Sequence, residues 1–300
     1  MKLTFLGTSS MIPTKDRNPS SILLTDRNEN ILIDCGEGTQ RQLRKIGVSP
    51  TKITKILITH WHGDHILGLP GMIQTIAAAE YDKTLEIFGP KGTKKFMKQI
   101  IELFLSKRIL KLKLEIKELK GSGNFYETED YYLASKNLKH TMPVIGYSFI
   151  QKDKRNINLD YTKKFGLVKD PILKKLKEGK TISYKGNKIS PKDATILKKG
   201  KKVSIITDTE YFKDISKFVK NSDILICEST FEKSLKEKAK EYKHMTSEDA
   251  ATVAKEANVK KLFLTHFGQR YKTTTKLEKE AKKIFPNTKA AEDFLEIKKL

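Results

Sequence analysis

Cysteine is almost missing from this 300-residue chain, occurring only at Cys35 and Cys227. Two cysteines so far apart do not make the disulfide framework of a small secreted domain, and they fit a reducing compartment. A long apolar run is missing too. The start, Met1-Lys2-Leu3-Thr4-Phe5-Leu6-Gly7, lacks the apolar stretch of a signal peptide. The most apolar segment, 66–79, is broken by Gly68, Pro70 and Gly71 and is too short to span a bilayer. A soluble, cytoplasmic protein with no membrane partner is expected. Arginine is scarce: only 7 of the 59 basic residues are arginine, so lysine carries most of a formal charge of +23. A surplus of this size favours a polyanionic partner through phosphate neutralisation and counterion release, although a lysine-coated surface would give the same total. Hydrophobic residues make up 38% of the chain, which excludes a disordered tail and allows a substantial core.

Short apolar runs recur, and many end in a polar residue. Ile31-Leu32-Ile33 ends at Asp34, and Ile56-Leu57-Ile58-Thr59 ends at His60. Val203-Ser204-Ile205-Ile206-Thr207 ends at Asp208, Ile224-Leu225-Ile226-Cys227 at Glu228, and Leu262-Phe263-Leu264-Thr265 at His266. Their length and β-branching predict buried strands. Helical patterns lie between them at 39–46, 90–105, 233–241 and 247–256, so strands and helices alternate as in an α/β layered domain. In such folds functional groups collect beyond the carboxyl ends of strands, where these polar residues stand. Ile58-Thr59-His60 and Leu264-Thr265-His266 also look alike, although two tripeptides do not establish an internal duplication.

Segment 151–202 differs from the rest. It holds 17 basic and 5 acidic residues, a net +12, so about half of the net charge sits in roughly a sixth of the chain. Its apolar periodicity is weak, and turn formers recur at Gly166, Pro171, Gly179, Gly186-Asn187 and Pro191. It reads as an excursion from the core, an arm or hairpin; charge runs are more often simply solvated.

The strongest chemical signal is His60-Trp61-His62-Gly63-Asp64-His65. Imidazole nitrogen and carboxylate oxygen suit zinc and similar divalent ions. Three histidines and an aspartate this close cannot all face one way on a strand or helix, so they need a loop wrapped around metal, with Gly63 supplying backbone freedom. Asp64 and His65 can reach one ion while His60 and His62 reach another. Further ligands come from His140, Asp208 and His266. Each alone is weak, since a lone histidine is usually structural and an aspartate after a strand often caps a helix. Together they use five of the chain's six histidines. Asp208 is the natural bridge, because one carboxylate can offer an oxygen to each ion. The sixth histidine, His244, precedes a helix that Thr246 or Ser247 would cap, with Glu248 and Asp249 in its first turn. It could act as a general acid oriented by Glu228; a surface histidine before a helix is an equal reading. The turn Asp34-Cys35-Gly36-Glu37-Gly38-Thr39-Gln40 allows a tight bend near the site, with Asp34 orienting ligands rather than binding metal.

These stretches together resemble ribonuclease Z, the metallo-β-lactamase-type endonuclease that matures transfer RNA 3′ ends. The likeness runs over essentially the whole chain. It is carried by Phe5-Leu6-Gly7-Thr8, Pro13, Arg17-Asn18 and Ser20-Ser21, by the 34–40 turn, by 60–71 with its closing Gly68-Leu69-Pro70-Gly71, and by Phe88-Gly89-Pro90. It continues in Gly146-Tyr147 after His140, Asp208-Thr209, Glu228-Ser229-Thr230-Phe231, His244-Met245-Thr246, Thr265-His266 and Arg270-Tyr271. The resemblance implies an αββα sandwich as a single domain over 1–300, with an inserted, flexible basic arm within about 151–202. It implies two zinc ions per subunit, with manganese or iron able to occupy the same ligands. His60, His62 and His140 would hold one, Asp64, His65 and His266 the other, and Asp208 would bridge them. Asp64 would also position and deprotonate the attacking water, and His244 would protonate the leaving 3′-oxygen. The implied partner is precursor transfer RNA, gripped by the arm of a homodimer, with DNA not expected. Two departures stand out. Val168-Lys169-Asp170-Pro171 replaces the family's Pro-Pro-Gly-Pro-like turn, and His244-Met245-Thr246 replaces the commoner His-Ser-Thr.

Two rival readings stay open at this point. A small-ester metallohydrolase, lactonase- or thioesterase-like, could use the same core but has no need of the charge at 151–202. A non-catalytic RNA-binding protein on a decayed fold is disfavoured by the intact ligand set.

Overall fold

The computed structural model describes residues 1–79, 81–104 and 112–298. The apolar runs form the strands Glu29–Ile33, Lys55–Leu57, Lys202–Ile206, Ile224–Glu228 and Leu262–Thr265. They read as continuous apolar stretches because both faces are covered. Ile31 and Ile33 enter one core while Leu32 enters another.

Fourteen strands make two seven-stranded sheets. The first runs, in spatial order, Glu296–Lys298, Lys2–Gly7, Ser21–Asp26, Glu29–Ile33, Lys55–Leu57, Thr84–Gly89 and Lys113–Glu118. The second runs Thr288–Ala290, Leu262–Thr265, Ile224–Glu228, Lys202–Ile206, Ile145–Gln151, Tyr131–Asn137 and Gly123–Glu127. Each is parallel in one half and antiparallel in the other. The sheets face each other across one core, where Phe5, Ile33, Leu57 and Phe88 meet Tyr147, Phe149, Ile205, Ile226 and Phe263. Helices cover both outer faces. Leu43, Met72, Ile73 and Met97 pack on the first sheet, and Ile215, Ala250, Val253, Ala254 and Leu277 on the second. The result is the αββα sandwich. His60 follows a strand of one sheet and His266 a strand of the other, so the two similar tripeptides face one site from opposite sides.

Helix boundaries follow local chemistry. The helix expected over 90–105 begins one turn later and runs Thr93–Phe104, because Gly92 holds φ +100 and cannot sit inside a helix; Leu105 lies outside the described residues. The stretch expected at 233–241 divides into a 3-10 turn, Lys233–Leu235, and the helix Lys236–Glu241. Leu69–Ala78 is a helix that its Pro and Gly content concealed: Pro70 falls in the first turn, where a missing N–H costs nothing. Ser247–Glu256 has a capping box between Thr246 and Asp249, so Thr246 is the cap. Among the described residues no helix is long and apolar enough to cross a membrane.

The basic segment leaves the second sheet after Ile145–Gln151 and rejoins it at Lys202–Ile206. Lys154–Ile157 and Thr195–Lys198 pair as an antiparallel stalk. Beyond it, Ile182–Tyr184 and Asn187–Ile189 form a hairpin whose turn residues are Lys185 and Gly186, at φ +47 and +77, rather than Gly186-Asn187. Short helices join that hairpin around a separate core of Leu167, Leu176, Ile182, Ile189 and Ala194. The segment is therefore a small packed unit. Its apolar residues showed no period because each element is only 3 to 5 residues long.

Candidate metal centre

Four strand ends and the loops beside them converge. His60, His62, Asp64 and His65 come from the loop and short helix after Lys55–Leu57, and His140 from the loop after Tyr131–Asn137. Asp208 follows Lys202–Ile206, and His266 follows Leu262–Thr265. Asp34, Asp208 and His266 hold φ of +59, +26 and +58, a conformation uncommon for residues other than glycine. Strain of this kind persists only where the surroundings enforce it, and here three instances ring one centre.

The donor atoms form two groups. In the first, Nε2 of His60 lies 3.0 Å from Nδ1 of His62, which lies 3.3 Å from Nε2 of His140; Oδ2 of Asp208 is 3.6 Å from Nε2 of His60. In the second, Nε2 of His65 and Nε2 of His266 are 3.3 Å apart, and each is within 3.4 Å of Oδ2 of Asp64 and Oδ1 of Asp208. Four ligands at tetrahedral corners, with bonds of about 2.0–2.1 Å, stand roughly 3.3–3.4 Å apart. Both groups therefore have the spacing of ligands around a small cation. Oδ1 of Asp208 is buried without a hydrogen-bond partner, an expensive arrangement unless a cation satisfies it.

Hydrogen bonding selects which nitrogen of each ring faces inward. His65 donates Nδ1–H to Oδ2 of Asp34 at 2.7 Å, while the carboxylate also accepts the Thr59 amide and hydroxyl at 2.7 and 2.8 Å. With its hydroxyl proton so engaged, Thr59 Oγ1 accepts from Nδ1 of His60 at 3.1 Å. His140 donates Nδ1–H to the Lys243 carbonyl at 3.0 Å, and His266 donates to Thr230 Oγ1 at 3.0 Å. All four rings thus turn Nε2 toward the centre, where a metal ion would take the place of its proton. His62 is reversed: Nδ1 faces inward and Nε2 lies 3.4 Å from Thr141 Oγ1.

Electrostatics favour a cation. Burial opposes the charged form of His65, but Asp208, Asp34 and Asp64 outweigh it and hold its pKa well above the usual range. Burial alone would raise Asp64, yet His65 and His266 hold it well below the carboxylate range. Asp208 is likewise held low against its burial by His266, His65 and His60. His60 shows the opposite response: burial, with His65 beside it, pushes it well below the usual value.

His244 sits between the groups, its ring 4.9 Å from that of His140 and 5.5 Å from that of His266. Its Nδ1 lies 3.0 and 3.1 Å from the two oxygens of Glu228. Glu228 is fully buried and also accepts the Thr209 amide at 2.7 Å and the Thr230 hydroxyl at 2.7 Å. It thereby ties His244 to the loop bearing Asp208 and to the hydroxyl that orients His266. Burial opposes protonation of His244, but Glu228 outweighs it and raises its pKa to about 9.

Sequence reasoning missed several supports. Thr59 and Thr230 fix ligand rings, and the cue for both was a hydroxyl residue beside a strand-end ligand. The Met11 amide donates to Oδ2 of Asp64 at 2.7 Å, and nothing in the sequence announced it. Gly63 does not provide the expected freedom, since its φ is not positive and it opens the helix Gly63–Ile66. The glycines that matter are Gly36 and Gly68. A Cβ at Gly36 would lie 2.4 Å from the Asp64 carbonyl oxygen, and one at Gly68 would lie 2.3 Å from the Gly36 oxygen.

Fold and donor geometry together define a metal-binding protein of the metallo-β-lactamase fold. A family model described as Anti-Pycsar protein Apyc1 matches residues 1–288. Ribonuclease Z of Oceanobacillus iheyensis is 40% identical over 308 residues, with 98% of each chain covered. Ribonuclease Z of Methanothermobacter thermautotrophicus is 38% identical over 298 residues, covering 99% of this chain and 96% of that one. The crystal structure of human tRNase Z, short form, superposes with a TM-score of 0.71 at 29% identity, covering 99% of this chain and 98% of that one. The metallo-β-lactamase fold protein YhfI from Bacillus subtilis has the same TM-score of 0.71 at 18% identity, covers 99% and 98% of the two chains, and attests the fold alone. The chain belongs to the family delimited by that model and, within the same fold, to the ribonuclease Z family.

Proposed function

We propose that this chain is a two-zinc endoribonuclease that removes the 3′ trailer from precursor transfer RNA. It cuts just after the nucleotide preceding the CCA position, leaving a 3′-hydroxyl on the transfer RNA and a 5′-phosphate on the trailer. The observation that carries the reading is the shared carboxylate: Oδ2 of Asp208 faces His60 while Oδ1 faces His65 and His266. His60, His62 and His140 would hold one ion and Asp64, His65 and His266 the other, with Asp208 joining them. Manganese or iron suits the same donors. When bound, the ions lower the pKa of water and draw charge from the phosphoryl oxygens. Asp64 orients the attacking water and takes up its proton. His244 commits Nδ1 to Glu228, which leaves Nε2 to protonate the departing 3′-oxygen. Glu228 is a positioning residue. The chain acts as a single cytoplasmic domain whose arm grips RNA, working as a homodimer. An end-labelled precursor tests the reading: a single cut at the stated bond supports it, and an intact precursor or scattered cuts refute it.

The arm should bind backbone rather than the scissile bond. Removing residues 156–193 is expected to weaken binding of whole precursor while leaving hydrolysis of a small phosphodiester largely intact. Affinity should also lose salt dependence, because each lost phosphate contact lowers the slope by about 0.7–0.9. Titrations at several salt concentrations check this, and an unchanged slope would make the arm a solvated loop.

Glu228→Gln tests the acid. Removing the carboxylate makes the His244 imidazolium less stable, so its pKa falls. The alkaline limb of kcat/KM, where the acid loses its proton, should move to lower pH. Both proteins carry the same ions, so the ions' field largely cancels in the comparison of pH–rate profiles. A limb that stays in place would remove His244 from the acid role.

A further inference from the structure

We propose that Tyr242, backed by Phe231, whose ring also carries Arg270, is a stacking platform for an unpaired base of the RNA next to the scissile phosphate; the inference rests on the reading of the site as an endoribonuclease. Tyr242 is 55% exposed, whereas its stacking partner Phe231 is 3% exposed. Their rings lie 6.3 Å apart at 23°, so one face of Tyr242 leans on a buried ring. The Arg270 guanidinium sits 4.7 Å from the centroid of the same Phe231 ring, and Arg270 is exposed. Phe231 is in turn 6.1 Å from the ring of His244. Two ring-to-ring steps thus connect the proposed proton donor to an open aromatic face, with a cation on the ring between them.

The backbone fixes this placement. Tyr242 ends the helix Lys236–Glu241, and Lys243 follows in a left-handed conformation at φ +53. The Lys243 carbonyl accepts from His140, and the next residue is His244. One turn therefore clamps a ligand ring, presents the acid and holds out the tyrosine. Single exposed apolar residues are ordinary; an exposed aromatic locked to a ligand and an acid through its own backbone is not. Single-stranded nucleic acid is recognised by such pairs, in which an aromatic face takes the base and a cation meets the backbone or stacks in its turn. The hydroxyl is not required for stacking, so phenylalanine should serve equally well.

The test compares Tyr242→Ala and Tyr242→Phe on two substrates, a precursor transfer RNA and a small nitrophenyl phosphodiester, with metal content measured in each protein. Tyr242→Ala is expected to lower kcat/KM on the precursor roughly five- to 150-fold, the range of one lost base stack. Tyr242→Phe should match wild type, and all three proteins should keep their metal and hydrolyse the small substrate alike. Precursors lacking one base on either side of the cut identify the stacked nucleotide: one such deletion should slow wild type by the same factor and Tyr242→Ala no further. Equal losses on both substrates, metal loss, or a base deletion that slows both proteins alike would overturn the proposal. So would a Tyr242→Ala protein that cuts the precursor as wild type does. A wild type that leaves the precursor intact would overturn the ribonuclease reading as well.

Discussion

Asp208→Ala is expected to strip at least one metal ion from the site and slow precursor cleavage by roughly 10³-fold or more. The size follows from the chemistry at stake. A Lewis-acidic ion contributes several kcal/mol to charge stabilisation, and each 1.36 kcal/mol is a factor of ten in rate. Among the described residues, Asp208 is the side chain whose two oxygens face different donor groups, so its loss weakens both. Asp208→Asn should be nearly as damaging, because an amide nitrogen cannot replace the second oxygen. Asp34→Ala is the contrast. Asp34 touches His65 and Thr59, and an outer partner of this kind typically costs 10–100-fold in metal affinity. Excess metal should therefore restore Asp34→Ala and leave Asp208→Ala impaired. Metal analysis and kcat at rising zinc concentration distinguish the two, and equal rescue would mean that Asp208 is no bridge.

His244→Ala is expected to keep its metal and its affinity for RNA while losing about 10²–10⁴-fold in rate, the usual contribution of a general acid. The loss should shrink on a substrate whose leaving group needs no proton, such as a nitrophenolate. Position supports the assignment: the ring stands beside both donor groups, and Glu228 holds Nδ1. His244 also lies within ligand reach of Asp208 and His266, so metal content is the deciding readout. A variant that loses metal, or that is slowed alike on both substrates, would make His244 a ligand or a prop rather than an acid.

Much of this site is legible in the sequence. Strands that are buried on both faces must be apolar throughout, so the first polar residue after each run marks its exit from the core. That is how Asp34, His60, Asp208, Glu228 and His266 stood out, and the fold brings all five to one place. The pairing of the sheets was not legible. Tyr131–Asn137 and Ile145–Gln151 mix polar and apolar residues and gave no clean period, although they supply Tyr131, Leu133, Ile145, Tyr147 and Phe149 to the central core. The arm's core was hidden for another reason: its contacts join elements too short to show periodicity. Hydrogen bonds from backbone groups were also invisible. The Lys243 carbonyl on His140 and the Met11 amide on Asp64 depend on loop conformations, both at positive φ, that no local residue pattern specified.

Metal titration decides whether two ions serve one cut. Metal-free protein receives zinc in substoichiometric steps, and cleavage of an end-labelled precursor transfer RNA is followed at each step. No cleavage is expected without metal, and the rate should level off at two equivalents per chain, with one cut after the nucleotide preceding the CCA position. Full activity at one equivalent, or cleavage by the metal-free protein, would contradict this expectation.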